Sequence, residues 1–184
     1  MSNQGPLPSF PTGAAGDEYV AGPYASWGRR IVPYLLDLLL VGAITVAIGA
    51  ILGLASPFDS TIVRHLGNSH ATTEFTRRFL HWSLLNYAVA FVYATAFLGS
   101  KLRATPFMAL FKIRLARATD FGPAGYGVAA LRTGVFTAAQ LLGAFVPFIG
   151  LAILVDLLWP LWDDRNQTVH DKIARTVVVD GRVR

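Results

Sequence analysis

The feature that most constrains this chain is the run from Ile31 to Leu54, 24 residues interrupted by a single charged side chain, Asp37. As a helix it is about 36 Å long, enough to cross the hydrocarbon core of a bilayer with some tilt. Arg29 and Arg30 stand immediately before it, and Pro33 is expected in its first turn, where a missing N–H costs little. A carboxylate inside such a run is disfavoured by about 2.5–3.5 kcal/mol on insertion scales, so Asp37 must meet a partner, a proton or water.

Composition agrees with a membrane chain: 53% of the 184 residues are hydrophobic and 15% are charged, with a mean hydropathy of +0.47. Soluble domains carry about a quarter charged residues. No cysteine is present, which removes disulfides, thiolate metal sites and cysteine nucleophiles. The net charge of +5 does not indicate nucleic-acid binding, because the basic residues flank the apolar segments.

Residues 1–26 are rich in Gly and Pro and lack hydrophobic periodicity, so they are expected to be a disordered tail, not a signal peptide. The polar stretch 55–80 reads as a loop, with a short interfacial helix near its end. A second span is expected at 81–98, with Trp82 anchoring it at the interface. In the basic segment that follows, "KIRLAR" (Lys112–Arg117) alternates, as does "RTVVVDGRV" (Arg175–Val183). The two are expected to pair at the membrane surface, with 180–184 as a short basic tail. Residues 132–162 are too long for one span. They read either as one kinked helix or as a hairpin of 132–146 and 148–162 turning at Pro147-Phe148-Ile149-Gly150. With the N-terminus inside, the hairpin leaves thirteen Lys and Arg inside and three outside, whereas a single span leaves eight on each side. The positive-inside rule favours the hairpin and cytoplasmic termini.

The fold expected is an all-α membrane protein, a small bundle of two main spans plus a helical hairpin, with a short cytoplasmic β pair. From about Tyr24 to Val179 the chain resembles the RDD family of small bacterial membrane proteins. The resemblance rests on "RIVPYLLD" (Arg30 to Asp37), on "RATPFMALFKIRL" in the middle, and on "RNQTVHDKIARTVVV" near the end, which contains Asp171. Phe107 stands where the family usually has glycine, and Pro33 where alanine is common. The resemblance implies a bacterial inner-membrane location and a transport role, which for some members includes cation/proton exchange.

Five residues are candidates for an ion-binding or structural polar network: Arg30, Asp37, Arg132, Asp156 and Asp171. Arg30 and Asp37 are two turns apart and share a helix face, so Asp37 is expected to point inward, toward Arg30, Arg132 or both. Asp156 falls at a similar depth on the last segment, with Tyr93 and Thr137 near that level. One reading makes Asp37 and Asp156 the ligands of a cation or proton in a cytoplasm-facing cavity. The other makes them part of a network that locks the helices. Asp171 is expected to be structural, paired with Arg30. Asp163, Asp164, His170 and Asp171 read as solvated surface charge, His65 and His70 as ordinary loop residues, and Asn166-Gln167-Thr168 as an unused glycosylation spacing. Gly42, Ala43, Gly49 and Gly53 are expected to serve close helix packing. No catalytic spacing, cofactor or metal site is expected. The expected partners are the bilayer, a cation or proton and a second copy of the chain. The rival to transport is a membrane scaffold that holds anionic lipid or a protein on its basic face.

Overall fold

The computed structural model describes residues 19–183. The chain opens with strand β1 (Tyr19–Tyr24) and enters the long helix α1 (Trp27–Ile51). A single turn, α2 (Ser60–Val63), leads into α3 (Ser69–Gly99), and a short helix α4 (Pro106–Leu110) precedes strand β2 (Ile113–Arg117). Helices α5 (Gly125–Phe145) and α6 (Pro147–Leu158) follow, then a turn of 3-10 helix (Trp159–Leu161), the short helix α7 (Val169–Ile173) and strand β3 (Thr176–Val183).

Helices α1 and α3 are long and apolar enough to cross a membrane. Their packing is that of a lipid-facing bundle. The buried positions of α1 are Pro33, Asp37, Val41, Thr45 and Gly49, one residue in every four, whereas Leu35, Leu39, Val46 and Ile51 are exposed. Small and polar groups face the protein, and large aliphatic groups face outward. That arrangement suits a solvent in which burying leucine gains nothing. Pro33 lies inside α1, because the helix begins at Trp27, four residues before the apolar run. Its missing N–H therefore falls in the helix interior and leaves the Arg29 carbonyl without its helical donor.

Three rungs hold α1 against α3. Tyr93 donates its hydroxyl to Asp37 at 2.5 Å, Asn86 donates to the Thr45 hydroxyl at 3.1 Å, and the Trp82 ring lies over Gly49. A Cβ placed on Gly49 would come 2.3 Å from the ring, while one on Gly42 would meet nothing within 4 Å. Of the four small residues, then, Gly49 allows close packing. Gly42 has no close neighbour, Ala43 is exposed, and Gly53 adopts φ +65 just beyond the end of α1. Gly49→Ala is expected to lower stability by about 1–3 kcal/mol. Gly42→Ala should leave it unchanged or slightly raised, since alanine is the better helix former. Thermal unfolding of the two variants in detergent measures the contrast.

Helix α3 runs 31 residues without a break, so residues 69–80 of the expected loop and interfacial helix are its first three turns, while 55–68 remain a connection that holds only the single turn α2. Asn68 caps it by accepting from the His70 N–H at 2.8 Å. Glu74 then pairs with Arg77 and Arg78, three and four residues on, which supports the polar turns as helix.

The last apolar region is a hairpin. Helix α5 starts seven residues earlier than the expected 132 and ends at Val146, whose backbone is extended, with Pro147 as the first residue of α6. The far end of α6 returns to the start of α1, where the Trp27 indole donates to the Leu157 carbonyl at 2.9 Å. At 12 residues, α6 is about 18 Å long, short of the roughly 30 Å of a hydrocarbon core.

The expected β pair exists, with a third strand added. Strand β3 is central, and the order is β1-β3-β2, all antiparallel. Residues 19–24, placed by composition in a disordered tail, form β1, and the expected tail 180–184 forms the end of β3 as far as Val183. Two edges that would otherwise lack partners explain both differences. β1 and β2 each satisfy one side of the β3 backbone. The rest of the expected tail, residues 1–18, lies outside the described residues. Leu115 sits opposite Val178, and Ile113 opposite Asp180. One sheet face packs Ile113, Leu115 and Val178 against Ala25, Leu98 and Ala129. The other packs Ala116, Val177 and Val179 beneath Tyr24 and Phe121. Each fully buried valine, leucine or isoleucine contributes about 1.5–3 kcal/mol relative to exposure, so the sheet is a solid platform under the bundle.

Candidate functional site

The five candidates separate into three linked groups. Asp171 is fully buried and lies at the centre of the first. Thr168 and Asp171 form a reciprocal capping box at the start of α7, which is what a Thr-x-x-Asp sequence favours. The cap fixes the carboxylate, and two arginines from different helices reach it. Arg30 on α1 donates at 3.0 Å and Arg132 on α5 donates through Nε at 2.7 Å. Thr168 N–H and the Thr176 hydroxyl complete its shell, both at 3.2 Å. The other two nitrogens of Arg30 donate to the carbonyls of Ala25 and Val178. The group thus joins α1, α5, α7 and the sheet. Burial alone would raise the Asp171 carboxyl, but Arg132, His170 and Arg30 outweigh it and hold it well below the usual carboxylate range.

The second group is Asp156 on α6 and His170 on α7. One carboxylate oxygen takes the His170 backbone N–H at 2.9 Å, and the other meets Nδ1 at 2.6 Å. Both residues are buried, and the imidazole packs at an angle on Phe136. His170 is therefore not surface charge, as its acidic neighbours suggested. Adjacent residues on α7 serve different partners: His170 turns to α6, and Asp171 to the arginines. Asp163 meanwhile pairs with Lys172. The glycosylation spacing is built in as well, since Thr168 is the helix cap and Gln167 donates to the Thr176 carbonyl at 2.7 Å.

Asp37 forms the third group and departs from expectation. It faces the interior, but its partners are hydroxyls and not arginines. Tyr93 donates to one oxygen and Thr105 to the other. Thr105 also caps α4, accepting from the Met108 N–H, so the short helix holds its hydroxyl in place. Both arginines expected near Asp37 are drawn to Asp171 instead. Asp37 and Asp156 have no hydrogen-bond partner in common among the described residues.

A cavity of about 210 Å³ lies among α1, α3 and α5, lined by Asp37, Tyr93, Arg30, Arg132 and His170 among others. Each helix contributes a stripe of the same period. On α5 the lining residues are Arg132, Thr133, Phe136, Thr137 and Gln140, which is one helix face. Asp156 is not in the wall; it stands behind His170. Thr137, placed near this level by depth alone, is in the wall. His65 and His70 are not part of it, and among the described residues no three His, Asp or Glu side chains cluster as metal ligands.

The model of the RDD family matches residues 24–175. No curated protein matches the chain, and no solved structure does. Arg30, Asp37 and Asp171, on which the resemblance rested, all fall within the matched region and meet the structure's buried polar groups. By that match, over most of its length, the chain belongs to the RDD family of small membrane proteins.

Proposed function

We propose that this is a transport-related membrane protein in which Asp37 takes up a proton or a small cation from the cavity. The observation that carries the reading is the Asp37 environment. The carboxyl lines a cavity between apolar helices, its oxygens are held by two hydroxyls, and neither arginine of the same cavity bonds to it, both reaching Asp171 instead. A carboxylate in such a place needs a positive partner, and a proton or bound cation is what the cavity can supply. Hydroxyl oxygens beside the carboxyl are also suitable ligands for a hard cation. The family suggests the same class of activity. In the proposed topology both ends of the chain are cytoplasmic. The pairing of β1 with β3 supports this, since it puts residues 19–24 and 176–183 on one side of the bundle.

The test is proton release. Purified protein in weakly buffered detergent is titrated with lithium, sodium and potassium chloride, with choline chloride as the control. At least one metal cation is expected to release about one proton per protein in the wild type and none in folded Asp37→Asn, as a shared site requires. Equal release from both proteins would count against Asp37.

A further inference from the structure

The cavity carries a second polar feature that a proton or cation at Asp37 does not use. Arg132 binds Asp171 through Nε alone. Among the described residues, its two terminal amino groups have no acceptor, and they are not sealed from the cavity. Arg30, by contrast, has an acceptor on each of its three nitrogens. The two arginines share a single carboxylate, so this end of the cavity holds one positive charge in excess. The other carboxylates beside the cavity make no bond to the free amino groups of Arg132. Asp156 is occupied by His170, and Asp37 by Tyr93 and Thr105. Further along the same α5 face, Thr137 and Gln140 add hydrogen-bonding groups, while much of the remaining wall is apolar, including Ile31, Leu38, Ala90 and Leu157.

We propose that Arg132 anchors a small amphiphilic anion in this cavity, with a carboxylate or phosphate on its guanidinium and an apolar body along α1 and α3. A planar fork of donors suits such oxygens better than any other group, and unpaired donors beside an apolar wall are costly unless acceptors meet them. The chemistry is shared by two sources, an anionic lipid of the bilayer and a free organic acid. The site does not depend on Asp37 carrying a proton, so either assignment can fail without the other.

Octanoate is a suitable probe. Saturable binding of labelled octanoate is measured on the full chain in phosphatidylcholine nanodiscs, with empty nanodiscs subtracted. Octanol and octyltrimethylammonium, which share its tail, are expected to bind at least about tenfold more weakly, a difference of 1.4 kcal/mol. Arg132→Lys keeps the charge for Asp171 but loses the free fork. It should fold and bind octanoate at least about tenfold more weakly, whereas Asp37→Asn should retain binding. Competition by phosphatidylglycerol in the nanodisc would identify lipid as the source, and its absence a free acid; both uphold the anion site. Octanol binding as tightly as octanoate, or undiminished octanoate binding by folded Arg132→Lys, would overturn it.

Discussion

Asp171→Asn is expected to cost about 3–5 kcal/mol of stability, the penalty of removing one member of a buried ion pair. Two guanidinium groups then face each other across a neutral amide, and neither can leave. Arg30 is anchored on two carbonyls, and Arg132 projects from the middle of a helix. The amide also puts an NH₂ where one carboxylate oxygen accepted bonds, which disturbs the cap of α7 and with it the Asp156–His170 contact. The double variant Asp171→Asn with Arg132→Gln restores the original net charge of the group and should recover part of the loss. A simple packing defect would instead become worse. Thermal unfolding of the wild type, both single variants and the double variant in one detergent gives the coupling directly.

The same carboxylate sets an acid limit. Its folded pKa lies below the unfolded value of about 3.9. Its contribution is therefore fully present above about pH 4 and is lost as pH falls from there toward the folded value. Acid unfolding of wild type between pH 5 and 2 should be steeper than that of Asp171→Asn, which has no such carboxylate to protonate.

Much of this group was legible in the sequence. Arg30 before the first span, Arg132 at the start of the last apolar region and Asp171 in the final motif are all candidates for the polar network, and the structure joins all three. The error concerned Asp37. Seven residues after Arg30, it shares a helix face with that arginine, and a same-face argument assigns it the nearest cation. Nothing along one helix indicates that a capped carboxylate 141 residues from Arg30 competes better. Thr105 was missed as well. Its signal was present in "ATPF", a threonine before a proline at the first position of a helix, which marks a cap. That its hydroxyl also reaches α1 follows only from tertiary packing. His170 was lost among acidic neighbours, although the Thr168-x-x-Asp171 capping box placed it on a helix, where successive residues point in different directions. Strand β1 was hidden because "YVAGPY" includes Gly22 and Pro23, residues that weaken a strand reading but are tolerated at a sheet edge.

At Asp37 the two accounts of the carboxyl diverge most. Asp37→Leu removes the acceptor of one buried hydroxyl, Thr105, and one half-buried one, Tyr93. It should lower stability by about 1–3 kcal/mol for each donor left unmet. Asp37→Asn keeps an acceptor oxygen and should be milder. A structural role alone would make any transport follow the amount of folded protein in each variant. A carrier role separates them, because asparagine can hold the fold but cannot take up and release a proton.

Proton flux in proteoliposomes decides between these outcomes. Wild type and Asp37→Asn are reconstituted at equal amounts of folded protein, a pH gradient is imposed, and lithium, sodium and potassium are added in turn. The wild type is expected to collapse the gradient with at least one of them, and Asp37→Asn to match empty liposomes while unfolding at nearly the wild-type temperature. Flux in Asp37→Asn equal to that of the wild type would contradict the assignment and leave Asp37 as a link between α1, α3 and α4 only.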